Sequence, residues 1–421
     1  MVDSCLGDDE DPTQVVSPLS VQATLSSLKP PIHLLFVTSC RSDYGPVALL
    51  LRDLFEETRL RISVVVGGAH LSEVHGRTVT EVERDGIPIA HRLHWLADAR
   101  DSAFGNASAR ALAMFNDLLR ETKPDAVVLY GDRHELLPLA TACVLERTPI
   151  VHLCGGDVTE GALDDQVRHA VTKLSHVHLA SSERSAKRIR QMGEEPWRVH
   201  AVGDPLIDAF VRGERASADE LEAVLGFRPD RSTLLVTLHP TTLEPHLQEP
   251  EVEACAAALE SYAGSIILTA PAPDPGFESI AERWARLVAT HPKAAYIDSL
   301  GSRRYRGALF AVGAMVGNSS SGLTEAPCVG LPAINVGRRQ SGRDRAENVI
   351  DVPSGDQAAL AAAIRFALEP VHQDRLRNGS RTSPYGDGRS NQRVIEALLA
   401  LPSRPRLLDK RFIDYVAATN R

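Results

Sequence analysis

Short apolar runs alternate with longer segments of helical periodicity from His33 onward, and this alternation constrains the fold more than any other feature. Two of the longer segments that are long enough for helices are ELLPLATACVLER and DQVRHAVTKLS. Alternating strands and helices indicate a parallel β-sheet. The first set of strand candidates is HLLFVTS, RISVVVGG, DAVVLYGD, TPIVHLCGG, HVHLASS and RVHAVGD.

The alternation pauses over residues 207–230, a charged stretch that reads as a helix plus linker, and then restarts. With 421 residues and 43% hydrophobic content, the chain can bury two cores, because one domain usually takes about 100–200 residues. We therefore predict two α/β domains, 31–206 and 231–385, between a disordered tail, 1–30, and a terminal helix and tail, 386–421. The second set of strand candidates is TLLVTLHPT, SIILTAP, AAYIDSL, AMVGNSSSG, PAINVG and ENVIDV.

Composition narrows the class of protein. The net charge of -9 and the pI near 5.9 disfavour nucleic acid as a partner, because a nucleic-acid surface needs a basic stripe. The six cysteines are scattered without CxxC or zinc-type spacing, which fits a reducing cytoplasm. The acidic start and the lack of an apolar run of about 18 residues predict a cytoplasmic protein with no membrane contact.

Polar or glycine-rich loops follow six of the predicted strands. In open parallel sheets the ligand crevice lies at the carboxyl ends of the strands, so all six loops can converge on one cleft. Two domains that face each other would form that cleft between them. The loops are SCRSDYG, GDRHE, CGGDVTEGALDD, HPTT, GNSSSG and GRRQSGRD.

The loop from Gly317 to Gly322 joins a strand to a helix predicted to start near Leu323. Exposed amides and hydroxyls at a helix start can hold a phosphate, although an ordinary turn and N-cap would use the same residues. Glu325, in the first helical turn, could accept ribose hydroxyls or merely offset the helix dipole.

Arginines gather after the strands. Arg338, Arg339 and Arg343 crowd one loop, and Arg41 follows the first strand. Guanidinium groups suit a diphosphate, whereas a solvated charge cluster is the alternative for any one of them. His239, in VTLHPTT, could donate to a phosphate or be a packed structural group.

Acidic residues supply the candidate chemistry. Asp132 follows a strand, and Asp164 and Asp165 open a helix. The structural alternative is that these acids cap the helix or form i, i+4 ion pairs, Asp164 with Arg168 and Asp165 with His169. Proton removal beside a leaving diphosphate needs a carboxylate base and a second acid. No G-x-G-x-x-G, Walker A or H-E-x-x-H pattern occurs, so we predict no nicotinamide cofactor, P-loop or metal.

These motifs, taken in order, resemble the hydrolysing UDP-N-acetylglucosamine 2-epimerases from about His33 to Val352. The most specific stretches are HLCGGDVTEGALDDQVRHAVTKLSHVHLASSE and the run from GNSSSGLTEA to NVGRRQSGRDRAENVI. The resemblance implies two Rossmann-like domains of the GT-B type facing across a cleft, no metal or cofactor, and a homodimer or homotetramer.

The resemblance also implies a reaction: anti elimination of UDP across C1 and C2 of UDP-N-acetylglucosamine, then addition of water, giving N-acetylmannosamine and UDP. Carried over by position, Asp132, Asp164 and Asp165 match acid–base residues, and Glu325 matches a ribose contact. The matching diphosphate contacts are Arg41, His239, Ser319, Ser320 and Arg339. The predicted substrate-binding set also includes Asn318, Gly322, Arg133 and Arg168.

Cys154 departs from the pattern, because many family members carry a glutamate there. A thiol is shorter, and it is neutral unless its pKa is depressed. Cys154 and Asp157 are therefore included among the catalytic candidates, with Asp157 or Glu160 able to take over the acid role. The alternatives are a non-hydrolysing epimerase that releases UDP-N-acetylmannosamine, a GT-B glycosyltransferase and a UDP-sugar sensor without catalysis.

Overall fold

Two parallel β-sheets, one of seven strands and one of six, form the centres of two α/β domains, which confirms the predicted fold class. The computed structural model describes residues 30–73, 76–96, 104–159, 163–241, 245–271 and 276–414. The predicted tail of residues 1–30 lies outside them except for Pro30, as do residues 415–421 and Glu160. No helix in these described ranges has the length and apolar character needed to cross a membrane.

The first sheet has the strand order β3-β2-β1-β4-β5-β6-β7. Six of its strands were expected from the apolar runs. β3 was not, because this edge strand is at most half-buried and its sequence, IAHRL, is not an apolar run. The strands are β1 Ile32–Thr38, β2 Leu60–Gly67, β3 Ile89–Leu93, β4 Ala126–Tyr130, β5 Ile150–Leu153, β6 Val177–Ala180 and β7 Val199–Ala201.

The second sheet has the order β10-β9-β8-β11-β12-β13, and all six strands match predicted runs. These strands are β8 Leu234–Thr237, β9 Ile266–Thr269, β10 Ala294–Ile297, β11 Ala314–Gly317, β12 Ala333–Val336 and β13 Val349–Val352.

Helices connect the strands and pack on the sheets. In the first domain and the segment after it they are α1 Arg41–Glu56, α2 Val79–Arg84, α3 Phe104–Thr122, α4 Leu136–Leu145, α5 Asp164–Leu174, α6 Glu183–Gln191, α7 Pro205–Arg212 and α8 Ala218–Leu225. The others are α9 Pro245–Glu260, α10 Phe277–Thr290, α11 Gly301–Ala311, α12 Ser321–Thr324, α13 Ala326–Val329, α14 Gln357–Ala367, α15 Pro370–Asn378, α16 Ser390–Leu399 and α17 Arg404–Leu408. Short 3-10 helices span Gly68–Leu71 and Pro196–Arg198.

The first sheet is covered on both faces, which explains why its central strands are continuous apolar runs. Along β1, Leu34 and Phe36 pack in a cluster with α1, whereas Leu35 and Val37 pack in another cluster with α3 and α4. Each of these four side chains is at most 2% exposed. A slip by one residue would exchange the two faces, so this burial fixes the register.

The two C-terminal helices, α16 and α17, pack against the first domain. Val394 and Leu398 of α16 join the core of the first sheet. The guanidinium of Arg198 donates to the carbonyls of Leu407, at 2.9 Å, and Asp409, at 2.7 Å. The terminal segment therefore ties the chain end to the domain in which it began. The predicted linker, 207–230, contains α8 and most of α7, and its boundaries stay a prediction.

The strand order determines where the loops meet. The order in which the strands are added reverses between β1 and β4 in the first sheet and between β8 and β11 in the second. Ligands of open α/β sheets bind beyond the carboxyl ends of the strands at such a switch point. Asp132 follows β4 and His239 follows β8, so each lies at the switch point of its own sheet.

Candidate active site

Loops of the two domains touch each other across the cleft. Arg184 Nη1 lies 2.8 Å from Asp344 Oδ1, and Ser182 Oγ donates to Asp344 Oδ2 at 3.1 Å. Farther along, Arg343 Nη2 donates to Thr159 Oγ1 at 3.4 Å. The polar loops of both sheets therefore meet as the sequence predicts.

Arg168 organises the acids of the first domain from inside the protein. Its side chain is 2% exposed. Nη2 donates to Asp132 and, at 3.1 Å, to Thr159 Oγ1. Nη1 donates to the carbonyl of Asp157 at 3.0 Å and lies 3.5 Å from Asp165 Oδ1. Arg168 therefore faces protein acceptors and holds the acids in position, while its contact with the substrate stays a prediction.

The i, i+4 spacing predicts an ion pair of Asp164 with Arg168, but the structure pairs Arg168 with Asp165 and Asp132. The difference arises because the guanidinium turns inward, toward the end of β4. The other predicted pair is present, with His169 Nε2 3.6 Å from Asp165 Oδ2. Asp165 also accepts the backbone N–H of Thr159 at 2.7 Å, so its carboxyl is occupied by structural contacts.

The environments of Asp132 and Asp164 push their pKa values in opposite directions. Burial opposes the charge on Asp132, but the neighbouring guanidinium groups, Arg168 first, outweigh it and lower the pKa. Asp164 is an exposed residue, yet partial burial of its carboxyl, and then the charge of Asp132, raise its pKa. A pair of carboxyl groups separated in this way is suited to act as base and acid.

His152 is a structural residue next to this pair. Its Nε2 contacts the carbonyl of Gly131 at 2.8 Å and its Nδ1 contacts Thr172 Oγ1 at 3.1 Å. Since a carbonyl can only accept, Nε2 carries the hydrogen and Nδ1 accepts from Thr172. Burial lowers the pKa of His152 to about 4, so the ring is neutral. It fixes the backbone just before Asp132.

Cys154 lies after β5 with a left-handed backbone, φ 63°, that residues other than glycine rarely adopt. Burial, followed by the charges of Asp204 and Asp157, raises the pKa of its thiol well above the usual range. Cys154 is therefore a neutral thiol and does not replace a carboxylate. Asp157 Oδ1 accepts from Ser181 Oγ at 2.7 Å and from Ser185 Oγ.

In the second domain Asn318 joins the loops after β8 and β11. Its Oδ1 accepts the backbone N–H of His239 at 2.7 Å, and its Nδ2 donates to the His239 carbonyl at 2.9 Å. Arg339 Nη1 donates to the Asn318 carbonyl at 3.2 Å. Gly317, just before, is indispensable because an added Cβ would lie 1.9 Å from the carbonyl oxygen of Thr237. Three predicted ligand-binding residues are thus brought together.

Three more predicted residues extend this group, which we call the phosphate cradle: His239, Asn318, Ser319, Ser320, Gly322 and Arg339. Ser319 and Ser320 are half-buried, and the Ser320 carbonyl accepts the N–H groups of Leu323, at 2.9 Å, and Thr324, at 3.0 Å. Burial, followed by the charge of Arg339, lowers the pKa of His239 to about 3. Cationic charge in the cradle therefore comes from arginine.

Glu325 does not lie in the first turn of a longer helix as predicted. It separates two four-residue helices, α12 and α13, because Pro327 opens the second one. Burial raises the pKa of Glu325 to about 7, and the charge of Asp204 adds to the rise. A carboxyl at this place is a strong acceptor once it ionises.

Arg41 and Arg133, both predicted to bind the substrate, have protein partners. Arg41 Nη2 donates to Ser299 Oγ of the second domain at 2.9 Å, and its Nε lies 3.4 Å from Glu81. The guanidinium of Arg133 contacts Glu135 through two nitrogens at 3.3 Å. Both side chains keep substantial exposure, 46% and 37%, and their contacts with the substrate stay predictions.

Asp204 is a buried carboxyl outside the predicted set. It follows β7 after Gly203, and its carboxyl interacts electrostatically with Cys154, Asp157 and Arg343. The signal was present in the run RVHAVGD, which ends in an aspartate after a strand as GDRHE does. Within the ranges that the structure describes, no cluster of three or more His, Cys, Asp and Glu residues could hold a metal ion.

Comparison with known proteins supports the resemblance seen in the motifs. Residues 52–399 match the family model for UDP-N-acetylglucosamine 2-epimerase. The chain is 32% identical to the hydrolysing UDP-N,N'-diacetylbacillosamine 2-epimerase of Legionella pneumophila, over 90% of this chain and 98% of that protein. It is 31% identical to the UDP-N-acetylglucosamine 2-epimerase of Neisseria meningitidis, over 91% and 99%.

Solved structures agree on the fold. The UDP-GlcNAc 2-epimerase of Neisseria meningitidis bound to UDP-GlcNAc superposes with a TM-score of 0.74 at 16% identity, covering 87% of this chain and 100% of that one. The Methanocaldococcus jannaschii enzyme in complex with UDP-GlcNAc and UDP gives 0.68 at 17% identity, with 87% and 99% covered. The chain belongs to the UDP-N-acetylglucosamine 2-epimerase family.

Proposed function

We propose that this protein is a hydrolysing 2-epimerase of a UDP-linked 2-acetamido sugar. It would convert the nucleotide sugar and water into UDP and a free sugar inverted at C2. One observation supports the proposal: Thr159 Oγ1 accepts from Arg168, which holds the acids of the first domain, at 3.1 Å and from Arg343, in the same loop of the second domain as Arg339 of the phosphate cradle, at 3.4 Å. A sugar attached to a diphosphate in that cradle would have its C1 and C2 next to those acids.

Asp132 is the proposed base. Burial alone would favour the neutral carboxyl, but the buried guanidinium of Arg168 outweighs it and lowers the pKa of Asp132, which keeps Asp132 ionised. Asp164 is the proposed acid, because the raised pKa lets its carboxyl retain a proton. Asp165 positions Arg168.

The UDP moiety would be held by charge and by backbone. Arg339 and Arg343 supply positive charge from the loop after β12, since His239 is neutral. Ser319 and Ser320 supply hydroxyls. Glu325 accepts the ribose hydroxyls, which favour its ionised form and so draw the raised pKa back down.

The reaction then runs in two balanced steps. In the first, Asp132 takes the proton from C2, the C1–O bond breaks with its electron pair going to UDP, and Asp164 protonates the leaving oxygen. The product is a 2-acetamidoglycal with a C1–C2 double bond. In the second, water bonds to C1, its proton returns to Asp164, and C2 receives a proton derived from solvent on the face opposite to the one it lost. Asp132 afterwards releases its proton to solvent.

The hydrolysing outcome is chosen over the non-hydrolysing one because hydrolysing enzymes are among the relatives with more than 30% identity, from Legionella pneumophila and, at 34% over 84% of its length, Campylobacter jejuni. The Legionella relative is named for UDP-N,N'-diacetylbacillosamine and the Campylobacter relative for GDP/UDP-N,N'-diacetylbacillosamine, whereas the Neisseria relative is named for UDP-N-acetylglucosamine. The shared feature is a 2-acetamido sugar on UDP. A cytoplasmic location and a homodimer or homotetramer are further parts of the proposal.

Proton NMR in deuterated water tests it. Purified protein is incubated separately with UDP-N-acetylglucosamine and UDP-N,N'-diacetylbacillosamine. We expect free UDP and a sugar that is inverted and deuterated at C2 from at least one of them. Deuterium without UDP release would identify a non-hydrolysing epimerase. Binding of both nucleotides with neither deuterium nor UDP would contradict any epimerase and favour a sensor.

A further inference from the structure

We propose that Thr159 is a positioning residue, whose hydroxyl makes the orientation of Asp132 depend on closure of the cleft. Thr159 lies between β5 and α5 in the first domain and is 6% exposed. Its partner in the second domain is residues 337–345, which follow β12 and which we call the arginine loop. The inference rests on the proposed function, because it concerns the base that the proposed function assigns.

The Thr159 hydroxyl accepts one guanidinium from each domain. Arg168 Nη2 donates to Oγ1 at 3.1 Å from α5, and Arg343 Nη2 donates to it at 3.4 Å from the arginine loop. Since a guanidinium has no acceptor, these two N–H groups occupy both lone pairs of the oxygen. Arg343 therefore helps to set which way the Thr159 hydroxyl faces Arg168.

The same nitrogen of Arg168 holds the base. Nη2 carries two hydrogens, and its two acceptors are Thr159 Oγ1 and Asp132. The bond to Thr159 fixes the direction of one N–H and so aims the other at Asp132. Misplacement of a reacting group by about 1 Å can cost about 100-fold in rate, so the orientation of this pair affects kcat.

The backbone of Thr159 is fixed within the first domain. Its N–H donates to Asp165 Oδ1, in the first turn of α5, at 2.7 Å. The carbonyl of Asp157, two residues earlier, accepts Arg168 Nη1 at 3.0 Å. These bonds do not require a closed cleft, whereas the bond from Arg343 to the hydroxyl does.

Hydrogen bonds also join the arginine loop to the phosphate cradle. Gln340, which is 1% exposed, donates through Nε2 to the Asn318 carbonyl at 2.9 Å. That carbonyl also accepts Arg339 Nη1 at 3.2 Å. The Arg343 N–H donates to the Gln340 carbonyl at 3.4 Å. A diphosphate held by Arg339 would therefore fix the loop from which Arg343 reaches the first domain.

A continuous series of hydrogen bonds thus runs from the phosphate cradle to the proposed base. Spatial continuity becomes energetic coupling only if changes at two of its members are non-additive, so a double-mutant cycle is the appropriate test. The members, in order, are Asn318, Gln340, Arg343, Thr159, Arg168 and Asp132.

Thr159→Val removes the hydroxyl and keeps both the β-branched shape and the N–H that Asp165 accepts. We expect kcat for UDP release to fall about 10-fold, as loss of one hydrogen bond to a charged group implies. The KM and the affinity for UDP should change less than about two-fold, because the interaction positions the base and does not hold the nucleotide. Thr159→Ser should restore kcat, and Thr58→Val, at an exposed turn before β2, is the matched control.

Arg343→Met distinguishes coupling between the domains from a local role of Thr159. This variant should itself lower kcat, and the double variant with Thr159→Val should be less than about two-fold slower than the slower single variant. Independent effects would multiply instead. Arg365→Met, at an exposed arginine on α14, is the matched background, in which Thr159→Val should keep its about 10-fold effect.

The outcomes separate this inference from the proposed function. If the wild type releases no UDP from either nucleotide sugar, the proposed function fails and the role of Thr159 fails with it. If the wild type turns over and Thr159→Val matches it, or changes the KM in place of kcat, only the role of Thr159 fails. Multiplicative effects of the two variants would overturn the link between the domains. Melting curves check folding, and Thr159→Ala replaces Thr159→Val if the valine variant is unfolded.

Discussion

Arg168 holds Asp132 from a buried position: the guanidinium side chain is 2% exposed, and the aspartate side chain is 27% exposed. A charge that is buried in this way needs its partners, because an uncompensated buried ion costs about 3–5 kcal/mol. The cation and the acids are therefore mutually dependent. The carboxyl of Asp132 still reaches the cleft, which leaves it able to react.

Asp132→Asn should abolish turnover while UDP affinity stays the same. The amide cannot accept the C2 proton, and a lost general base costs about 100-fold to 10,000-fold in rate. The phosphate cradle lies in the other domain and should be unaffected. Turnover by NMR and UDP binding by calorimetry measure the two effects.

Asp117→Asn, at an exposed position on α3, is the control for Asp132→Asn and should be neutral. Loss of turnover together with loss of UDP affinity would instead assign Asp132 a structural role. A folded variant with full activity would remove it from the mechanism.

Ser320→Ala should weaken UDP binding by about 1.5–3 kcal/mol, the range expected when one hydrogen bond to a charged group is lost. The loop itself should hold, because its backbone bonds use the Ser320 carbonyl and not the hydroxyl. Calorimetry with UDP measures the change, and Ser302→Ala, at an exposed position on α11, is the control. Equal affinities would count against the phosphate cradle.

The sequence predicts more of the fold than of the contacts within the candidate site. Central strands buried on both faces are apolar runs, so the sequence alone reveals them, whereas the half-buried edge strand β3 has no such signal. The strand ends likewise predict which loops meet. The partners inside the cleft depend on how side chains turn: Arg168 pairs with Asp132, 36 residues away, and not with its helical neighbour Asp164. Asp204 follows a strand of only three residues, which makes its loop easy to overlook.

Arg184→Ala should raise the KM for the nucleotide sugar by up to roughly five-fold, which corresponds to the about 1 kcal/mol that an exposed ion pair can contribute. Arg184 is 60% exposed, but its contact with Asp344 joins the two domains across the cleft. Loss of the contact favours the open cleft, so substrate binding would have to close it again.

Salt should reproduce this effect, because salt screens an exposed pair. We expect the KM of the wild type to rise with sodium chloride and that of Arg184→Ala to rise less. Lys187→Ala, on the same helix and exposed, is the matched control. Identical salt dependence in the wild type and Arg184→Ala would show that the pair does not hold the cleft closed.

Glu325→Gln should make the protein more stable at pH 8 and weaken UDP binding. Burial raises the pKa of Glu325 to about 7, from 4.5 in a model carboxyl. Because the folded pKa exceeds the unfolded one, the free energy of unfolding falls as the pH rises from about 4.5 to about 7, by at most about 3 kcal/mol. Glutamine removes this dependence of the unfolding free energy on pH, while the ribose hydroxyls lose a charged acceptor.

Urea unfolding at pH 4 and pH 8 measures the effect of Glu325→Gln on stability: we expect similar stabilities of wild type and variant at pH 4 and a more stable variant at pH 8. Glu278→Gln, exposed on α10, should follow the wild type at both values, and parallel curves for wild type and Glu325→Gln would show that Glu325 is not buried in its neutral form.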